Sequence, residues 1–261
     1  MIPLEDPTTL SLLFHLNSEP WLNDDAYKGG SVNQELKVPA GVIAEIPLPR
    51  PPGSALMELL AQRYSCRDFA PVEMPLDTAS ALLAASYGAL APSRVGGQTS
   101  FLRRTVPSAG GLFPLEIYVF TQRVQGLDDG LYHYDVVAHS LRQLRRENLF
   151  RTIEPMFYTY PFLKDANLVF AIAAVFMRIQ KKYGPRGYRY TLMEAGHVAQ
   201  NISLRAVEFG LATLCMGGFV DSALNELLDL RPKEEGVVYT IAAGQEASLS
   251  GPITREPVVQ S

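Results

Sequence analysis

Between Tyr188 and Phe209 the apolar residues Leu192, Ala195, Ala199, Ile202, Leu204 and Ala206 recur at helical spacing, and Gly210 follows where a helix end favours glycine. A helix that long with so wide an apolar face must be enclosed on most sides, so it is either the core of its own domain or the seam between two subunits. The rest of the 261-residue chain, with 47% hydrophobic residues, can enclose it within one large domain or two small ones. Helices are expected from Ser54 to Gln62 and after Pro75-Leu76-Asp77, where Asp77 or Thr78 can cap and Leu82, Leu83, Ala85 and Leu90 keep helical spacing. Leu115 to Phe120 has the aromatic and β-branched bias of a strand. GLYHYD and HSLRQLRR alternate around a short loop as a hairpin does, and Leu168 to Val175 has the length of a buried central strand. A strand from Leu211 to Met216, the pair Gly217-Gly218, a helix from Asp221 and a last strand, GVVYTIAAG, complete the pattern. Helices and strands mix without a strict βαβ rhythm, so the predicted class is α+β. Residues 1–53 are rich in Pro, Asn and Gly and end in PLPRPPG. They read as an extended arm that wraps something, and 54–261 as the folded domain.

A net charge of −4 gives no electrostatic reason to expect nucleic acid. The two cysteines, Cys66 and Cys215, form neither a CxxC pair nor a cluster with histidines, so no disulfide framework or metal site is indicated and a reducing cytoplasm fits best. The N-terminal residues carry acids and prolines where a signal peptide needs a basic start, and the apolar run from Leu168 to Met177 is far short of the roughly 20 residues a membrane helix needs.

Four stretches could carry chemistry. In RYSCRDF an extended backbone turns Arg63, Ser65 and Arg67 to one side, two guanidinium forks around a hydroxyl, which suits a phosphate; a solvated helix end would look the same. In RTVPSAGGLFPLEIYVF the small residues Ser108 to Gly111 let backbone approach a flat ligand, as an ordinary tight loop also would. LCMGGFVDSALNELLDL repeats that theme at Gly217-Gly218. QKKYGPRGYRYTL gathers two lysines, two arginines and three tyrosines without an acid around a Gly-Pro break. His197, set among Ala and Val, reads as a core histidine, and His15 and His133 have no partner visible in the sequence.

Together and in this order, RYSCRDF, RTVPSAGGLFPLEIYVF, GLYHYD, KYGPRGYRYTLMEAGHVAQN and CMGGFVDSALNELLDL resemble the nitroreductase-like FMN flavoproteins, and within them the SagB-type dehydrogenases that oxidise thiazolines and oxazolines to azoles. The resemblance runs from about Leu56 to the C-terminus, and its most discriminating part is the KYGPRGYRY block. It implies a central mixed or antiparallel sheet flanked by helices, with the long apolar helix at the core or dimer seam. It also implies FMN held at its phosphate and ribityl chain by Arg63, Ser65 and Arg67, with Arg255 as a further phosphate contact. Pro107, Ser108, Ala109 and Gly110 would line the ring from across a homodimer interface, Gly217 and Gly218 would reach its N5/O4 edge, and Lys182 and Tyr183 would be the catalytic pair. The substrate would be an azoline on a peptide, a carrier protein or a small molecule, with a cyclodehydratase or synthetase as possible partner. An NAD(P)H-dependent nitro- or quinone reductase and a non-catalytic flavin-binding scaffold subunit are the rival readings.

Overall fold

Eight consecutive apolar residues, too few for a helix that crosses a domain and rich in Val, Ile and Ala, form β6 (Leu168–Val175), which is buried along almost its whole length. In the computed structural model, which describes residues 9–18, 37, 39–95, 98–158 and 163–247, this strand lies at the middle of a six-stranded sheet. Its neighbours are β3 (Leu115–Thr121) and β8 (Glu235–Gly244), with β4 (Gly130–Asp135) and β5 (Ser140–Arg145) beyond β3 and β7 (Ala212–Met216) beyond β8. Every pairing in the sheet is antiparallel, as the α+β expectation allowed.

Alternation along β3 divides the core. Leu115, Ile117 and Val119 face α3 (Leu76–Tyr87) and α6 (Arg186–Glu208), while Tyr118 and Phe120 face the layer of α4 (Phe150–Ile153) and α7 (Asp221–Leu227). α6 ends at Gly210, whose φ of +65° is the left-handed conformation expected of a helix-stopping glycine, and the Leu211 N–H returns to the Ala206 carbonyl. Its own chain does not use the full apolar arc. Leu192 and Met193 are 38% and 57% exposed, and beside them lie Gly196, whose missing side chain faces open space, and exposed His197. The expectation of a core histidine at 197 is therefore corrected: the residue belongs to the outward stripe.

α2 (Ala55–Gln62) starts at Ser54, whose hydroxyl accepts from the Met57 N–H. α3 is capped by neither Asp77 nor Thr78; Pro75 occupies that position, and Gly88 ends the helix before Leu90, which lies instead in β1 (Ala89–Val95). β1 pairs with β2 (Gln98–Arg104), a ribbon that the sequence pattern did not reveal. Within the stretch expected to be extended, α1 (Thr9–Asn17) is a helix. It packs with its polar side inward: His15 reaches the Tyr188 hydroxyl at 3.2 Å and the edge of the Phe176 ring, and Gln180 donates to Ser11 Oγ at 2.8 Å. Leu10, Leu13 and Phe14 face solvent. Among the described residues no helix is long and apolar enough to cross a membrane, and no group of three or more His, Cys, Asp or Glu could hold a metal ion.

Candidate active site

The turn that joins β2 to β3 places Gly110, Gly111 and Phe113 at φ values of +63°, +65° and +46°. Glycine adopts that region at no steric cost, whereas Phe113 must be held in it. The Phe113 N–H donates to Ser108 Oγ at 2.9 Å, and Arg178 donates to the Phe113 carbonyl at 3.0 Å. Ser108 thus uses its hydroxyl oxygen inward, on the Glu194 side, where its influence lowers the Glu194 pKa. Pro107 and Gly110 form the exposed surface of the turn.

Onto that surface come the last two residues of α5 (Phe176–Tyr183). A Cβ built on Gly110 would lie 2.7 Å from Tyr183 Oη and 2.8 Å from Lys182 Nζ. The amine and the phenol therefore meet over one glycine Cα. Lys182 Nζ is 5.3 Å from the Tyr183 ring centroid, and Tyr190 meets that ring edge-on at 5.2 Å. The Gly-Pro break explains how α6 comes to supply Tyr190. Gly184 closes α5 at φ +56°, Pro185 starts α6, and Gly187 lets the second helix approach to where a Cβ would stand 3.2 Å from the Gln180 backbone.

Positive charge just before this block is spent within the chain. Arg178 pairs with Glu116 at 2.7 Å, and the same carboxylate bonds His133 Nε2 at 2.8 Å. Arg178 is therefore a strut between α5, β3 and the turn, and His133, unpartnered in the sequence, has its partner on the neighbouring strand. Burial alone would push the Glu116 carboxyl up, but hydrogen bonds from His133 and Arg178, with the Arg178 charge, outweigh it and hold it below the usual carboxylate range. A carboxyl depressed in the folded state stabilises fully above its unfolded pKa, about 4.3, and that contribution is lost as pH falls through the lower folded value. Hydrogen-exchange protection factors in α5, corrected for the intrinsic pH dependence of exchange, are accordingly expected to fall below about pH 4. Glu116→Gln should remove that acid step; an unchanged step in the variant would mean that another group controls the helix.

The second cluster lies along β7. Ser65 bridges Thr213 and the Cys66 N–H donates to the Thr213 carbonyl at 2.9 Å, so residues 63–67 run beside the strand that ends in Gly217-Gly218. Ser65 and Arg67 are exposed, and Cys66, between them, is buried with its thiol donating to the Asp68 carbonyl. The alternation expected from the sequence is present over residues 65–67, while Arg63 caps α2 and is half-buried like Tyr64. Burial pushes the Cys66 thiol up, which keeps it protonated and unsuited to be a nucleophile. Among the described residues neither Arg63 nor Arg67 has a carboxylate partner. A Cβ at Gly217 or Gly218 would meet only ordinary contacts, 3.9 Å from Tyr239 and from Tyr158. Packing does not require glycine at either position; Gly217 is exposed, while the Gly218 carbonyl accepts from the Tyr158 N–H at 3.4 Å. Two guanidiniums without a carboxylate partner beside β7 and an exposed Gly217 at its end fit a ligand with an anionic tail and a flat head, as FMN has.

The Pro107–Gly110 turn lies beyond the start of β3, level with the end of β6 and the start of β8, where Leu115, Ala174 and Gly236 align. Met216, just before Gly217-Gly218, pairs instead with Thr240 in the middle of β8, and Ser65 sits beside Thr213, level with Ala243 and Leu168 toward the other end of the sheet. Three strand spacings alone put the turn and the glycine pair roughly 14 Å apart across the sheet. Arg255 lies outside the described residues. The sequence reading missed Tyr190, Glu116 and Glu194, whose partners are set by contacts distant in sequence.

The sequence pattern of the nitroreductase family matches residues 60–245. The chain is 36% identical over 191 residues to a candidate nitroreductase from Methanocaldococcus jannaschii, a match that covers 73% of this chain and 92% of the other. It is 29% identical over 136 residues to the microcin B17-processing protein McbC of Escherichia coli, covering 49% of each. Among solved structures, the E. coli microcin synthetase McbBCD complex with truncated pro-MccB17 bound shares the fold, with a TM-score of 0.66 and 23% identity over 83% of this chain and 79% of the matched one.

Proposed function

Because the chain belongs to the nitroreductase family, we propose that it is an FMN-dependent oxidase that converts a thiazoline or oxazoline to the azole. The observation that carries this reading is the convergence of Lys182 Nζ and Tyr183 Oη on Gly110. A reductase that takes hydride from a nicotinamide has little use for an amine and a phenol there, whereas aromatisation needs a base. The match to McbC, a microcin-processing protein, covers 49% of the chain and supports the same chemistry.

In this reading Arg63 and Arg67, with Ser65, hold the phosphate of FMN, and the Gly217-Gly218 edge meets its ring; bound FMN supplies the two-electron acceptor that aromatisation requires. Lys182 Nζ takes the proton from the carbon beside the substrate carboxamide. Tyr183 Oη, steadied by Tyr190, donates a hydrogen bond to the substrate as charge develops on it. The outward stripe of α6, with Leu192, Met193 and Gly196, is the seam of a homodimer. Dimerisation brings the Lys182 turn of one protomer to the arginine and glycine cluster of its partner, which answers the lateral separation of the two clusters within one chain. The azoline sits on a peptide, a carrier protein or a small molecule, and a cyclodehydratase or synthetase supplies it. FMN, the dimer and the azoline belong to the proposal.

Purified protein is expected to be yellow and to bleach anaerobically when an azoline peptide or methyl thiazoline carboxylate is added. Bleaching by NADPH alone would favour the reductase reading, which the M. jannaschii relative supports, and a colourless protein that refuses FMN would leave only the scaffold reading. Arg63→Gln with Arg67→Gln should weaken FMN retention at least tenfold, each lost charged hydrogen bond costing about 1.5–3 kcal/mol, while thermal stability of the apoprotein changes little. FMN retention equal to that of the wild type would reject the phosphate assignment.

A further inference from the structure

Among the inward positions of α6, Gly187, Thr191, Ala195, Val198, Ala199, Ile202, Ser203 and Ala206 are small or apolar, and Glu194 is the one carboxylate. It is 2% exposed. A buried carboxyl is costly unless it is hydrogen-bonded, and its partners show what it is bonded for. The Tyr87 hydroxyl, at the end of α3, donates to Oε1, and the same phenol oxygen accepts from the Leu115 N–H at 3.4 Å. Arg104 lies over the Tyr87 and Phe113 rings, 4.2 and 4.7 Å from their centroids. Ser108, whose hydroxyl lowers the Glu194 pKa, makes no hydrogen bond to it, and Oε2 is sealed from solvent without a partner. Glu194 is thus the hub of groups that flank the Pro107–Gly110 turn on both sides, Arg104 and Ser108 before Gly110, Phe113 and Leu115 after it.

A hydroxyl has one proton to give and two lone pairs. Ser108 Oγ already accepts from Phe113, so its proton is free for the carboxylate; Tyr87 is arranged the same way, with Leu115 as its donor. An ionised Glu194 holds the Tyr87 hydroxyl inward and offers Oε2 as an acceptor toward which the Ser108 hydroxyl can turn, which leaves both hydroxyl oxygens to receive the backbone N–H groups that hold the turn and the start of β3. Once it is protonated, one of those hydroxyls loses its acceptor and the turn loses a tether. From this geometry we propose that ionised Glu194 is a positioning residue for Lys182 and Tyr183, acting through Ser108 and Tyr87 on the turn that carries Gly110. The catalytic role of that pair rests on the oxidase reading. The charged groups that face Glu194 are Arg104 from β2 and Tyr87 from α3, and Arg104 in turn feels Glu116 and Arg178. Burial pushes Glu194 above the usual carboxylate range, against the pull of Ser108, Tyr87 and Arg104.

The test is Glu194→Gln in the flavin-loaded protein, with Glu194→Asp and Ser108→Ala beside it in case the first does not fold. Azoline kcat is expected to fall about 10- to 100-fold with KM and flavin content little changed. The acid limb of the kcat profile should flatten, and Asp should restore part of both rate and limb. A second readout needs no turnover: trinitrobenzenesulfonate labelling of Lys182, taken as a ratio to Lys181 by peptide mass spectrometry, should shift several-fold in the Gln and Ala variants. A lower melting temperature with an unchanged pH profile and labelling ratio overturns the proposal, because the residue is then only structural. A shifted labelling ratio in a protein that turns over no azoline keeps the positioning role and sinks the oxidase reading.

Discussion

Gly110→Ala is expected to reduce azoline turnover about 100-fold or more in a protein that still folds and still binds flavin. The new methyl would occupy the point now 2.7 Å from Tyr183 Oη and 2.8 Å from Lys182 Nζ, closer than any carbon settles against nitrogen or oxygen. Both atoms end flexible side chains, so they can withdraw, but only by moving about 1 Å from where the substrate would meet them, and a shift of that size at reacting groups costs about two orders of magnitude. Alanine at φ +63° adds about 1–2 kcal/mol of backbone strain, which a domain stable by about 5–15 kcal/mol survives. Anaerobic single-turnover bleaching of the flavin, read beside thermal melting, separates the two effects. A folded Ala variant with an unaltered bleaching rate would show that the heads need not meet over Gly110.

Lys182→Ala should cost about 100- to 10,000-fold in the same bleaching step, the usual weight of a positioned general base, with flavin content unchanged because the arginine and glycine cluster that would hold the cofactor lies on another part of the sheet. Lys182→Arg should do no better, since a guanidinium does not deprotonate in a protein. Lys181, one residue away, is the control: Lys181→Ala should leave the rate near that of the wild type. Equal losses at 181 and 182 would point to the general charge of the α5 end rather than to a base.

The sequence carried the sheet well where burial was complete. β6 and β8 were readable because a fully buried strand announces itself as an apolar run, and Gly210 because a helix needs a left-handed residue at its end. The matching of Lys182 and Tyr183 came from a resemblance; that both reach Gly110 depends on α5 folding back across the β2–β3 turn, which no local pattern encodes. Arg178, just before the basic block, has no partner near it in the sequence, and only the register of β3 beside β6 shows it spent on Glu116. His197 shows a different limit. An apolar arc records how much of a helix is covered, not which molecule covers it, and the proposed second protomer would cover what this chain leaves open. α1 escaped for the opposite reason, since it docks through Ser11 and His15 and shows its leucines to solvent.

Cys66 sits one residue from Arg67 at the proposed cofactor cradle, sealed and held as a thiol by its burial. A flavin oxidase that discharges to oxygen makes hydrogen peroxide at its own active site, and peroxide attacks thiolates, not protonated sulfur out of its reach. By turning that sulfur into the core at the alternate position of RYSCRDF, the chain would keep an oxidisable atom beside the reaction yet out of contact with its by-product, so repeated cycles would not erode the enzyme from within.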